Sequence, residues 1–148
     1  MTLSTWYRAG RSIGGRLGLL LALLLPAGCA TSLHHGIRPL RPLELATAPY
    51  QGTVTTAFTG SLIYESGCLL MRVDGGGYVL PVWPDGSIFN GTSVIFHEPG
   101  KASQPIMVEQ QVQIGGRPLA WLQLPGYPSF EHYCRAVPFL VSKVRPAD

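Results

Sequence analysis

Charge is scarce in this chain: only 13% of its 148 residues are Asp, Glu, Lys or Arg. Nucleic-acid binders displace counterions from phosphates with clustered cations, and no such cluster occurs, so no nucleic acid partner is expected. The same shortage removes electrostatic capture by anionic lipid. No apolar run reaches the ~20 residues that a helix needs to cross a bilayer. Cysteine occurs three times without a CxxC spacing, and no HxxxH pair is present, so no metal and no cofactor is expected. None of Ser61, Ser66, Ser87, Ser93, Ser103 and Ser129 sits in a GxSxG elbow. Gly75, Gly76 and Gly77 fall between two apolar stretches rather than before a helix, which excludes a phosphate-cradling loop.

What is present begins with an export pattern. Met1 to Arg16 carries Arg8, Arg11 and Arg16 and no acid, and Leu17 to Leu25 is apolar on every face. Small residues follow, then Cys29. A positive region, a short apolar region and a small-residue cleavage site are the three parts of a signal peptide, expected over residues 1–28. The sequence Pro26-Ala27-Gly28-Cys29 resembles the lipobox of bacterial lipoproteins. Ala27, Gly28 and Cys29 match it position by position. Pro26 stands where the family usually has Leu or another aliphatic residue, with Leu25 displaced by one. The resemblance implies lipidation of Cys29, cleavage before it and anchoring in a lipid bilayer. Ala30, in place of the Asp that favours inner-membrane retention in that family, implies the outer membrane of a Gram-negative envelope. The alternative is an ordinary secretory signal with Cys29 as a thiol.

Removal of residues 1–28 would also remove the formal charge of +3. From Cys29 onward eight basic residues face eight acidic ones. Cysteine parity points the same way. Three cysteines would leave an orphan thiol in an oxidising compartment. With Cys29 taken by lipid, Cys68 and Cys134 become an even pair, and a disulfide between them is expected. The competing reading is two reduced, buried cysteines acting as small core residues.

Residues 29–50, with Pro39, Pro42 and Pro49 and no apolar period, read as an acylated tether. His34 and His35 within it read as solvated side chains rather than metal ligands, because adjacent residues diverge in regular structure. From residue 51 the texture turns to period two. Val54, Thr56, Phe58, Gly60, Leu62 and Tyr64 share one face of a long strand, in which Gly60 marks a bulge or bend. Further strands are expected over Cys68 to Val73, Tyr78 to Trp83, Val94 to Phe96, Ile106 to Ile114 (closed by Gly115-Gly116) and Val137 to Val144, the last beginning at an edge because of Pro138. Leu119 to Leu124 is open between strand and short helix, and Pro125 to Cys134 reads as a loop. Short strands between turn signals argue for a barrel or a sandwich.

The stretches "GSLIYESGCLLM", "YVLPVWPDG", "VQIGG" and "YCRAVPFLVSKV" resemble a domain of small uncharacterised bacterial envelope proteins, over roughly Gly52 to Val144. The resemblance implies an all-β, OB-like five-stranded barrel with a long bent first strand and two cysteines stapling its second strand to the approach of the fifth; a small β-sandwich is the alternative. It implies no activity, since OB folds host many functions.

Among candidate sites, Trp83-Pro84-Asp85 could stack a sugar or base, or Trp83 could simply cap the core; the flanking Leu80 and Val82 favour the core. His132, Cys134, Cys68 and His97 form a zinc set on paper, which a disulfide would pre-empt. The few acids fall in turns, so a glycosidase pair has no support. The function expected is that of a membrane-anchored envelope lipoprotein acting as a binding or accessory module, not an enzyme, with an envelope protein or glycan as its partner. The alternative is a hydrolase or metal-dependent enzyme whose site the sequence does not reveal.

Overall fold

The structure is a computed structural model that describes residues 36–147. The signal segment, Cys29, His34 and His35 lie outside the described residues.

The strands are β1 (Thr47–Ala48), β2 (Thr56–Glu65), β3 (Cys68–Val73), β4 (Tyr78–Pro84), β5 (Ile88–Phe89), β6 (Ser93–Phe96), β7 (Gln104–Met107), β8 (Gln111–Pro118) and β9 (Val137–Pro146), with α1 (Tyr127–Cys134) between the last two. The all-β class is as expected. A six-stranded sheet runs in the order β1-β4-β3-β2-β8-β9, and β4 pairs with β9 as well, so five strands close a circuit. Every pairing in the circuit is antiparallel except β4 with β9. Strands β5, β6 and β7 form a separate antiparallel sheet.

β2 owes its bend to one residue. Residues 60–65 pair with β3 and residues 56–61 with β8, so the strand changes partner at Gly60 and Ser61. A Cβ on Gly60 would lie 2.0 Å from the Arg72 carbonyl oxygen. Only a residue without a side chain permits that approach.

Period-two alternation sorts the side chains into two cores. Leu62, Leu69, Met71, Val79, Trp83, Val112, Ile114, Phe139 and Val141 pack with Phe89, Val94, Phe96 and Ile106 of the small sheet. Cys68, Leu70, Leu80, Val82 and Leu140 point the other way, into a second cluster with Leu119, Leu124, Phe130 and Cys134. β3 and β4 are therefore buried on both faces.

Several local expectations are corrected. Pro125 to Cys134 is not a loop: Tyr127–Cys134 is an α-helix, entered from Gly126 in the left-handed region and carrying Pro128 in its first turn. Residues 36–50 do not behave as a tether. Ala46 and Ala48 are buried, β1 pairs with β4, and Arg38 and Arg41 both engage Glu44. The stretch Ile106 to Ile114 is two strands, divided where Glu109 takes a φ of 65°. Gly115 and Gly116 do not end β8; they carry a bulge within it, and a Cβ on Gly116 would meet the Leu140 carbonyl oxygen at 1.8 Å. The region 119–124 resolves as a 3-10 turn at Trp121–Gln123. Pro138 is no edge residue, since it pairs with Leu80 while its carbonyl accepts from the Leu119 N–H at 3.0 Å.

Candidate functional site

The outer surface of the strand circuit is treated differently on its two sides. Over β3 and β4 lies the chain's own connection from β8 to β9. Leu124 and Phe130 of that connection cover Leu70, Leu80 and Val82, and Cys134 at the end of α1 is bonded to Cys68 at the start of β3, with Cα atoms 5.6 Å apart. The expected pairing of Cys68 with Cys134 is thus present. The N-terminal segment is fastened over the same layer: the Arg38 N–H donates to Ser129 Oγ at 3.0 Å, and Leu40 packs against the cluster.

Over β2, β8 and β9 no helix or second sheet packs among the described residues; only the segment leading into β2 lies alongside, the Thr55 N–H donating to the Gly116 carbonyl at 2.7 Å and Ser142 Oγ to the Thr53 carbonyl at 2.9 Å. Cross-strand register stacks two rows there: Thr59, Gln113 and Arg145, then Ala57, Gly115 and Lys143. Small residues in the middle of the second row leave a groove of about 240 Å³, lined by Val54, Ala57, Gln113, Gly115, Lys143 and Arg145. A second hollow shares Gln113 and Arg145 and extends towards Thr59, Pro146 and Ala147. The groove depends on Gly115, where a Cβ would come within 3.2 Å of Val54.

The groove's electrostatics follow from its lining. Lys143 and Arg145 are exposed and make no ion pair among the described residues, whereas Arg38, Arg41, Arg72 and Lys101 each have a carboxylate partner. Among the described residues no carboxylate lines either hollow. Two cations and the Gln113 amide face a shallow trough whose walls are apolar, an arrangement suited to an acidic group on an uncharged body.

Perturbed ionisation lies elsewhere. The Arg38 guanidinium, which forks onto Glu44, holds that carboxyl below its usual range and is itself raised. Burial, then Glu98, raises the Tyr50 hydroxyl, and a hydrogen bond to Glu98 raises Lys101. These pairs fasten the N-terminal segment and a turn, and none faces the groove.

Residues singled out from the sequence scatter. Trp83 is fully buried, edge-on to Phe96 at 6.1 Å, so it caps the core and can stack no ligand; its indole N–H has no partner among the described residues. His132 is exposed on α1 against the Tyr133 ring. The His97 ring lies against the turn at Gly86, and its backbone N–H donates to Ser87 Oγ. With Cys68 and Cys134 joined to each other, the paper zinc set does not exist. No cluster of three metal-ligating side chains occurs among the described residues. Ser61 accepts from Arg72, and Ser93 lies in a network with Asn90.

Sequence reading missed the groove because its lining comes from three strands and gains meaning only through register. A usable signal existed for α1: Tyr127, Phe130 and Cys134 follow the three-and-four spacing of one helical face. No family model, curated protein or solved structure matches the chain.

Proposed function

We propose that the chain is the precursor of an envelope lipoprotein, acylated on Cys29, whose described domain is an OB-like barrel serving as a binding or accessory module. In circuit order the strands β2, β3, β4, β8 and β9 run first, second, third, fifth, fourth and back to first, with the third and fifth parallel. That order, together with a first strand bent at a glycine, supports the OB-like reading. A joined Cys68 and Cys134 agrees with an oxidising compartment, and the tripartite signal with export.

One observation carries the binding reading: the domain caps one outer sheet face with its own helix and leaves the other open as a groove holding Lys143 and Arg145. OB folds bind oligonucleotides and oligosaccharides on the face of their second and third strands. Here β3 and β4 are those strands, and α1 occupies that face. Binding is therefore assigned to the opposite side, and the partner to an envelope glycan or protein that presents a carboxylate or phosphate. Ala30 assigns the protein to the outer membrane, facing the periplasm, in a Gram-negative host.

Two measurements test this. Growth on a labelled fatty acid tags the wild type and not Cys29→Ser, with the label in the outer-membrane fraction; equal labelling refutes the anchor. Titration of the lipoprotein in detergent with an oligosaccharide carrying uronic acids, and with its neutral counterpart, shifts amide signals of β2, β8 and β9 for the acidic sugar alone. Shifts on α1 instead, or equal response to both sugars, would reject the groove as the binding site.

A further inference from the structure

The expected tether spanned residues 29–50. If it were free throughout, an extended chain at 3.3–3.6 Å per residue would let the domain wander some 70 Å from its acyl anchor. That is about twice the diameter of a domain this size, roughly 34 Å for a radius of gyration near 13 Å. Such a leash would favour no orientation.

The structure removes most of it. From Arg38 the chain is fastened: its N–H to Ser129 on α1, its guanidinium to Glu44, then Ala46 and Ala48 into the second core and β1 onto β4. Only the seven residues from 29 to 35 remain between the acylated position and the described domain. Their fully extended reach is about 25 Å, less than the domain's own diameter. An anchor that short, leaving beside α1, holds the α1 side towards the bilayer and cannot turn the far side to it.

That side has the surface for the role. Leu122, in the 3-10 turn before α1, is 79% exposed, the most exposed large apolar residue described. Ile37, next to the Arg38 fastening, is 52% exposed, and Tyr133 on the outward side of α1 is 40% exposed. Tyrosine's apolar ring and polar tip suit a membrane–water boundary.

We propose that this layer, residues 36–41 with residues 119–135, rests on the membrane that holds the anchor, with Ile37, Leu122 and Tyr133 entering the headgroup region. The inference rests on the reading of Cys29 as acylated. It leaves the groove of Lys143 and Arg145, on other strands, open to the periplasm.

The test uses the full lipoprotein in vesicles of phosphatidylethanolamine and phosphatidylglycerol containing a phospholipid with a diazirine in its headgroup region. Illumination should place lipid adducts on residues 36–41 and 119–135 at least fivefold more often, residue for residue, than on residues 141–147. Even labelling, labelling centred on residues 141–147, or no adducts while intact mass shows diacylglyceryl on Cys29, overturns the inference and leaves the anchor reading standing. Absence of that mass defeats the anchor reading, and this one with it. The double variant Leu122→Ser/Tyr133→Ser alters exposed positions only. With anchor and disulfide verified by mass, its adduct yield on residues 119–135 should drop severalfold; an unchanged yield rejects those side chains as the contact.

Discussion

The two outer faces of the strand circuit differ in what the chain does after leaving each strand. Over β3 and β4, the eighteen residues between β8 and β9 fold back as the 3-10 turn and α1 and bury Leu70, Leu80 and Val82. Over β2, β8 and β9, the outward positions are Thr59, Ala57, Gln113, Gly115, Lys143 and Arg145, and among the described residues no helix returns over them, Val54 alone standing at the edge beside Gly115. Both faces come from the same alternation. The capped face puts apolar residues on both sides of its strands, as buried strands require, while the open face keeps polar or small residues outward. A face left uncovered in a domain this small is where recognition can occur.

The widest gap between the two faces comes from the disulfide, because it belongs to the capped side alone. Joining residues 66 apart should stabilise by about 4 kcal/mol through loop closure. Reduction, or the double variant Cys68→Ala/Cys134→Ala, should lower the urea midpoint accordingly. Amide exchange should quicken first along α1 and only later in β8 and β9. Uniform loss across both faces would show that the cap and the open sheet unfold as one unit.

A slightly smaller effect tests the strand that serves both faces. Gly60 is where β2 passes from β8, on the open side, to β3, on the capped side. Gly60→Ala sets a methyl group against the Arg72 carbonyl oxygen and should cost about 3 kcal/mol, read as a thermal or urea midpoint. Gly67→Ala is the control. Its added methyl meets nothing within 4 Å, so only the strain of a φ of 83° remains. A Gly60→Ala protein as stable as Gly67→Ala would mean that the bend does not depend on this close approach.

Legibility divided along the same line. The strands β2, β3, β4 and β9 were readable because alternation is local and Gly60 interrupts it visibly. The all-β class followed from them, and the Cys68–Cys134 pair from parity. The cap was not readable as a helix, because Pro125, Gly126 and Pro128 punctuate the sequence like a loop, while its helical face rests on three residues. Nor was the fastening of residues 36–50: β1 is two residues long, too short for any period, and its partners in β4 are thirty-six residues away. The groove was invisible for a different reason. Gly115 reads as a turn residue until register places it between Ala57 and Lys143.

A still smaller effect separates the faces by pH. The Glu44 carboxyl is held below its ordinary value chiefly by the Arg38 hydrogen bond, against some burial. A group depressed in the folded state contributes stability that is present above the unfolded carboxylate pKa and is lost as pH falls through the folded value. Acidification below about pH 4 should therefore loosen residues 38–48 from α1, and only slightly, because Arg38 is half exposed and solvent screens the pair. Exchange rates at pH 6 and pH 3 provide the measurement. Glu44→Gln should abolish the difference for that segment and leave the groove strands unaffected. A pH step that survives Glu44→Gln would assign it to another carboxylate.

The smallest effect on stability belongs to the groove, and that smallness is itself informative. The Lys143 and Arg145 side chains are exposed and take part in no ion pair or hydrogen bond among the described residues, so nothing described in the fold depends on their charge. Lys143→Gln/Arg145→Gln should move the urea midpoint by no more than about 0.5 kcal/mol. Two cations two residues apart on the outward face of β9 repel modestly, which gives the variant a slight gain rather than a loss. Binding of an acidic oligosaccharide should respond oppositely, falling roughly thirtyfold if each cation contributes a charge-assisted contact of about 1 kcal/mol. Raising salt should weaken the wild type towards the variant, since exposed charges are screened within about 8 Å at physiological ionic strength. A variant that lost stability while binding unchanged would make these side chains part of the scaffold, and the open face would then have no more claim to a ligand than the capped one.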